Sequence, residues 1–229
     1  MLRGFLKRFI GLRFNGDYSW EQASKICGAG YQSDYIAQLA VNATQKAMAA
    51  EHLIVNQRSI RLLAALLQCD CSHVVDFGGA LGGHYWKLRR HLPTLQRWTV
   101  VELPLLVNLG RQGFANGQLE FSTTIPTDGT VTLASSSLQY IENSASVVQQ
   151  FNTDRVILDR VPTAERDRVT IQTVPYQKAR YPARFFCVHT IFEEFGLNPI
   201  LQWEVPEDIA WVDGRLHPYI GFLATRRPR

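Results

Sequence analysis

The run VVDFGGALGGHYW, residues 74–86, sets an acid at the end of a β-branched stretch and then four glycines within positions 78–83. So much backbone freedom just before a helical pattern restricts the chain to strand, tight turn and helix in succession, with a ligand brought close to the main chain. In an open parallel sheet, ligands bind outside the carboxyl ends of the strands, and the turn after the first strand lies there.

The rest of the chain fits such a sheet. Short β-branched runs at 73–77, 98–102, 119–123, 130–134 and 155–158 alternate with helical patterns at 82–92, 104–115 and 145–151. This alternation implies an α/β fold with helices on both faces of a mostly parallel sheet. Residues 182–195 read as a further helix, with Phe185, Phe186, His189, Ile191, Phe192 and Phe195 on a broad apolar face and Gly196 as its cap. Runs at 200–205 and 219–225 have only a loop between them, so they are expected as antiparallel neighbours. A charged insertion at 159–181, with a short strand at 169–174, is expected to overhang the carboxyl edge.

Residues 1–70 read as a helical cap on a main domain of residues 71–229, with no Pro-rich or Ser-rich linker between them. One helix near 20–27 is stopped by Gly28 and Gly30. A second starts at Asp34, and a third spans about 58–68 with Ile60, Leu63, Ala64 and Leu67 inward. At the N-terminus, Leu2, Phe5, Leu6, Phe9 and Ile10 form one helical stripe with Arg3, Lys7 and Arg8 off it. Packing on the domain or on another subunit is the favoured reading of that stripe, and a membrane-surface helix is the alternative.

A net charge of +4 does not demand nucleic acid, because the aromatic residues lie in core-like segments rather than along a basic stripe. Cys27, Cys69, Cys71 and Cys187 form no C-x-x-C pair and read as free thiols in a reducing, cytoplasmic setting. The six histidines lack metal-ligand spacing, and neither a G-x-S-x-G elbow nor a P-loop lysine motif is present.

Two ligand classes use such a glycine turn. A dinucleotide needs G-x-G-x-x-G, but Ala80 stands at the second glycine, where a pyrophosphate would meet its Cβ. The pattern D-x-G-x-G-x-G, which holds the nucleoside of S-adenosylmethionine in methyltransferases, is met by Asp76, Gly78 and Gly82, again with Ala80 at the middle glycine. Glu102, at the end of the second strand, can accept hydrogen bonds from both ribose hydroxyls of either ligand. The terminal antiparallel pair favours the methyltransferase.

The ordered segments VVDFGGALGGHYW, VVELP, TLASSSLQYIEN, VILDRVP, TIQTVPY and FFCVHTIFEEFG, preceded by SWEQASKICGAGYQSDYI, resemble a family of class I S-adenosylmethionine-dependent methyltransferases. Members of that family are typically encoded with bacterial surface-polysaccharide biosynthesis genes. The resemblance covers about residues 17–225. It implies a Rossmann-like fold: a mostly parallel seven-stranded sheet ending in an antiparallel hairpin, with an N-terminal helical cap. It implies that Asp76, Gly78, Gly79, Gly82 and Glu102 line the cofactor, that Leu103 lies beside the adenine, and that Ser135 and Ser136 lie near the methyl-donor centre. Where many such enzymes carry an acid after the third strand, this chain has Ser122-Thr123-Thr124-Ile125.

Methyl transfer to oxygen needs a base within hydrogen-bonding reach of the nucleophile. His84, Tyr140 and Asp159 are the candidates, and Arg160 offers a guanidinium that can clamp a carboxylate or phosphate. Each also has a plainer role: His84 as a cap on the turn, Tyr140 as a packed ring, and Asp159 with Arg160 as a structural ion pair. The sequence thus reads as a methyltransferase acting on a sugar, nucleotide-sugar or glycan intermediate. An NAD(P)-dependent oxidoreductase or epimerase, and a non-catalytic methyltransferase-like scaffold, are the alternatives. No nucleic-acid partner is expected.

Overall fold

A computed structural model of the chain describes residues 13–27, 34–50, 57–174, 179–212 and 215–227. The expected N-terminal amphipathic helix and the Gly28–Gly30 stop lie outside the described residues. The strands are β1 (Arg13–Tyr18), β2 (His73–Phe77), β3 (Arg97–Val101), β4 (Leu119–Ser122), β5 (Val131–Ser135), β6 (Arg155–Ala164), β7 (Arg168–Val174), β8 (Ala179–Cys187), β9 (Leu197–Val212) and β10 (Arg215–Arg226). The helices are α1 (Trp20–Cys27), α2 (Asp34–Ala49), α3 (Gln57–Leu66), α4 (Gly83–Leu88), α5 (Pro104–Gly113), α6 (Ser144–Gln149) and α7 (Ile191–Phe195).

All ten strands among the described residues join one mixed sheet, which corrects the expectation of seven strands ending in a single hairpin. Within it runs the path β4-β3-β2-β5-β6-β10-β9, parallel except for β10, which is antiparallel to both of its neighbours. The additional strands β1, β7 and β8 close a second circuit. β9 pairs with β1, β1 with β7, β7 with β8, β8 with the end of β6, and β6 with β10, which returns to β9. This six-membered ring stands beyond the carboxyl edge, because β6 continues to Ala164 past its last partner on β5 at Asp159. The charged insertion therefore does overhang that edge, as part of a ring closed by short pairings of β9 with β1 and of β8 with β6.

Three apolar clusters fix these parts. Val74, Leu81, Tyr85, Trp98 and Leu119 join the sheet to the face that carries α2 to α5. Phe151, Val156, Phe186, Phe195 and Phe222 fill the opposite face under α6 and α7. Phe14, Phe185, Val205, Val212 and Tyr219 fill the ring, with Phe14 and Phe185 edge to face at 5.1 Å. Full burial of one such aromatic or aliphatic side chain is worth about 1.5–3 kcal/mol.

Two helical assignments change. Residues 182–195 are not one helix: β8 runs through Cys187, a turn follows, and α7 begins only at Ile191. Tyr181, Ala183 and Phe185 are buried in strand alternation, whereas His189 is exposed in the turn rather than packed in the core. In α3 the inward stripe is Leu62, Ala65 and Leu66, while Ile60, Ala64 and Leu67 are exposed, since the helix carries apolar residues on two faces. Residues 13–18, read as part of a helical region, form β1. All four cysteines are free, and burial pushes Cys69 to about 11 and Cys71 to about 12, which disfavours the thiolate of each. Among the described residues no helix is long and apolar enough to cross a membrane.

At the amino edge of the sheet, His73 is buried with Nε2 2.8 Å from Thr99 Oγ1 and Nδ1 3.1 Å from the Asp128 carbonyl and 2.8 Å from Arg97 Nη2. Burial pulls its pKa below 6.5, against a smaller upward pull from the Asp128 carbonyl. Protonation therefore opposes folding: this stability is present above the unfolded-state value and is lost as pH falls through the lower folded-state value. Urea melts from pH 7.5 to 5 should show the wild type losing more stability on acidification than His73→Gln. Equal slopes would rule the effect out.

Candidate functional site

The glycine turn joins β2 to α4 at the carboxyl edge. Val74, Val75 and Asp76 are fully buried, because β2 lies between β3 and β5. Gly78, Ala80 and Gly82 all adopt left-handed backbone, at φ 72°, 52° and 82°. Ala80 thus holds the conformation of the glycine it replaces, at a cost of roughly 1–2 kcal/mol. Gly78 leaves no room for a Cβ, since Ser137 occupies that space and its Oγ donates to the Phe77 carbonyl at 3.0 Å. Gly79 is pressed over the Asp76 carboxyl group, which a Cβ there would overlap.

Asp76 Oδ2 accepts a bond from Trp98 Nε1 at 3.2 Å, and His84 Nδ1 lies 3.6 Å from the same oxygen. Asp76 Oδ1 is buried and has no partner among the described residues. An unmet buried acceptor costs about 1–3 kcal/mol. His84 Nδ1 is likewise buried without a hydrogen bond, and its side chain is mostly buried.

Glu102 closes the turn from the next strand. Its Oε1 accepts from the Ala80 N–H at 3.2 Å and its Oε2 from the Leu103 N–H at 2.9 Å. A carboxylate has about four lone-pair sites, so these two bonds leave capacity for two more. Burial pushes the Glu102 carboxyl above 4.5; the two N–H groups offset part of that rise, and nearby Asp76 adds to it. A cleft of about 650 Å³, lined by Phe77, Val101, Thr123, Thr124, Ile125 and α6 with its following loop, opens from the ends of β2 and β3. Leu103 is exposed at the same edge. Ser122 Oγ donates to the Thr124 carbonyl at 2.7 Å, which shapes the stretch where an acid is absent.

The second half of the edge lies at the ends of β5 and β6. Ser135 donates to Asp159 Oδ2 at 2.8 Å, and Trp203 Nε1 donates to Asp159 Oδ1 at 3.2 Å, so both oxygens of this buried acid are engaged. Ser136 and Arg160 have left-handed backbone at φ 55° and 56°. Ser136 Oγ accepts from Gln139 Nε2 at 2.9 Å. Tyr140, in the 3₁₀ turn Leu138–Tyr140, donates to Gln172 Oε1 at 2.9 Å, and burial raises its pKa. Arg160 Nε donates to Asp208 Oδ2 at 2.6 Å. Asp159 and Arg160 therefore each pair with other residues. Asp76, Gly78, Gly79, Gly82, His84 and Glu102 converge on the turn, while Ser135, Ser136, Tyr140, Asp159 and Arg160 form a neighbouring group.

Trp98, Ser137, Gln139, Trp203 and Asp208 were not among the sequence candidates. Ser137 belongs to the serine triplet after β5 and could have been found with its neighbours. Asp208 and Trp203 meet β6 only across long-range strand pairing that no local pattern reveals.

The sheet path with an antiparallel strand inserted between two parallel ones, a glycine turn on the first strand and an acid ending the second define a methyltransferase-like α/β fold. Solved structures share it. An S-adenosylmethionine-dependent methyltransferase from Clostridium acetobutylicum superposes with a TM-score of 0.51 at 10% identity, over 80% of this chain and 98% of that one. Human N-acetylserotonin methyltransferase in complex with SAM gives 0.52 at 13% identity, over 86% of this chain, which spans 58% of the human one. A chain of the Haloferax volcanii complex that contains the Trm112 methyltransferase activator gives 0.55 at 13% identity, over 86% of this chain and 98% of that chain. The likeness at these identities is one of fold. No protein-family model matches the sequence, and no curated protein matches it.

Proposed function

We propose that the protein is an S-adenosylmethionine-dependent methyltransferase with a small-molecule or glycan acceptor. The observation that carries this reading is the pair of carboxylates at the turn: Asp76 with one buried, unmet oxygen, and Glu102 with spare acceptor capacity. A nucleoside with an amino-acid tail offers donors to both: ribose hydroxyls to Glu102 and an ammonium group to Asp76. Gly78, Gly79 and Gly82 keep the backbone bare along it, and Leu103 supplies an apolar contact for the base.

When bound, S-adenosylmethionine supplies a methyl group already activated on a sulfonium, so the chain has to align an acceptor and exclude water. Ser135 and Ser136 stand at the strand end nearest that centre. His84 is the group placed to take a proton from the acceptor, while Tyr140, whose proton burial holds more tightly, donates to Gln172. Asp159, with both oxygens engaged, acts by holding Ser135 and Trp203 in place. A sugar, nucleotide-sugar or glycan acceptor is supported by the resemblance of the sequence segments alone, and a cytoplasmic location by the unpaired cysteine pattern. Contact with the inner face of a membrane rests on the amphipathic pattern of the first residues, and the division into a cap (1–70) and a main domain (71–229) on sequence pattern.

Calorimetric titration with S-adenosylmethionine and S-adenosylhomocysteine tests the reading. Both should bind at micromolar concentration, and NAD or NADP should give no thermal protection. Absence of S-adenosylmethionine binding at near-millimolar concentration would sink it.

A further inference from the structure

The end of β1 and the starts of α1 and β7 meet β8 and the loop before α6 around a second cavity, of about 310 Å³. None of the residues at the glycine turn lines it. Four stretches far apart in sequence converge there, at Asp17 to Trp20, Glu142, Asp167 to Val169 and Arg184.

The walls are held by specific contacts. Asp167 Oδ1 accepts the Cys187 N–H at 2.9 Å, and its Oδ2 lies 3.3 Å from Arg184 Nη2, which also meets Glu194 at 2.7 Å. Arg168 Nη2 donates to the Gly16 carbonyl at 2.8 Å. Gly16 has φ 78°, and the Tyr18 ring fills the space its Cβ would need, so that ring is folded against the β1 backbone. A capping box sets the first turn of α1 and with it the backbone of Trp20. Ser19 Oγ accepts the Gln22 N–H at 3.2 Å, and Gln22 Oε1 accepts the Ser19 N–H at 2.9 Å. Tyr18 Oη, Trp20 Nε1 and the Glu142 carboxylate make no hydrogen bond to another described residue.

The lining chooses the ligand. Asp17, Glu142 and Asp167 share the wall with Arg168 and Arg184, so a ligand of fixed charge would sit beside at least two side chains of its own sign. Hydroxyl groups donate to carboxylates and accept from guanidinium N–H groups, so a polyol can use both kinds of neighbour. Two aromatic residues add ring faces, whose negative quadrupole attracts the weakly positive C–H hydrogens of a saturated ring. The volume is near the lower end of the range for ligand sites, about 300–1,000 Å³, and suits one ring.

We propose that this cavity binds an uncharged, multiply hydroxylated ring of hexose size, with Trp20 as its platform and Glu142 as a hydroxyl acceptor. The site stands whether or not the glycine turn takes S-adenosylmethionine. The stretch from Ser137 to Glu142 links the two places, because Ser137 packs on Gly78.

Saturation-transfer NMR and indole proton–nitrogen correlation spectra test it with glucose, galactose, mannose and N-acetylglucosamine at pH 6.5. Glucuronate, glucosamine and phenylalanine serve as anionic, cationic and zwitterionic probes. At least one uncharged sugar should bind with a dissociation constant of about 1–10 mM, the scale for a ligand of about a dozen heavy atoms. That sugar should shift the Trp20 indole signal, identified by its loss in Trp20→Phe, and bind at least threefold more tightly than each charged probe. Trp20→Ala should weaken it at least fivefold and Glu142→Gln at least threefold. If Trp20→Ala does not fold, Glu142→Gln decides, since Glu142 is exposed. No binding of any of the four sugars at about 100 mM overturns the proposal. So does tighter binding of a charged or zwitterionic probe, a shift confined to other indole signals, or unchanged affinity in Glu142→Gln. Titrating the same samples with S-adenosylhomocysteine judges the methyltransferase reading separately.

Discussion

Glu102→Ala should weaken S-adenosylmethionine binding by roughly two to four orders of magnitude, because two hydrogen bonds to a charged acceptor, each worth about 1.5–3 kcal/mol, are lost together. Glu102→Gln separates this role from folding. Burial holds the Glu102 carboxyl above 4.5, so its ionisation opposes folding: the stability it contributes is present below the unfolded-state value and is lost as pH rises through the folded-state value. At pH 7.5 the amide, which keeps one of the two acceptors for the Ala80 and Leu103 N–H groups, should bind cofactor more weakly than the wild type. Ribose hydroxyls would donate to the ionised form. Wild-type affinity should accordingly fall as pH drops through the raised Glu102 value, and Glu102→Gln should be insensitive to pH over that range. Calorimetry from pH 5 to 8 on both proteins measures this. A pH-independent wild type, or an amide that binds as tightly, would remove Glu102 from the cofactor site.

The same carboxylate shows how far the sequence carries. Asp76, Glu102 and the glycines are legible because their functions are local: an acid ends a strand, and glycines permit the turn that follows. Ala80 looked like a defect in the pattern, yet it adopts φ 52° and its N–H reaches Glu102, so the turn is formed with the strain included. The terminal strands were legible as an antiparallel pair but not in their extent. β6, β9 and β10 run through Pro162, Pro206 and Pro218, which read as breakers in isolation. Near Pro206 and Pro218 the β9–β10 register shifts, and proline is tolerated at such irregular ladder positions. β8 was hidden because its buried residues, followed by Phe186, Val188, Ile191 and Phe192, also satisfy a helical period. β1 was hidden because RFNGDY has little strand propensity and owes its conformation to β7 and β9. The ring above the site, and with it the Asp208 partner of Arg160, follows from those long-range pairings.

Gly79→Ala should be among the most destabilising single-methyl changes in the chain, by about 2–3 kcal/mol or roughly 5–10 °C in melting temperature. No left-handed backbone is involved at Gly79. The obstacle is the Asp76 carboxyl group, which would overlap the new Cβ and has nowhere to move: Asp76 is fully buried, tied to Trp98 Nε1, and set in a strand paired on both sides. Moving the turn outward instead would stretch the bond between the Ala80 N–H and Glu102, so cofactor affinity should fall together with stability. The cause can be isolated with a cycle of Gly79→Ala, Asp76→Ala and the double variant. If overlap with the carboxyl is responsible, the double variant should be less destabilised than the sum of the single changes by at least 1 kcal/mol, well beyond the ~0.3–0.5 kcal/mol seen for independent sites. Additive melting data would instead mean that the Gly79 backbone, and not the space it leaves for Asp76, is what the turn requires.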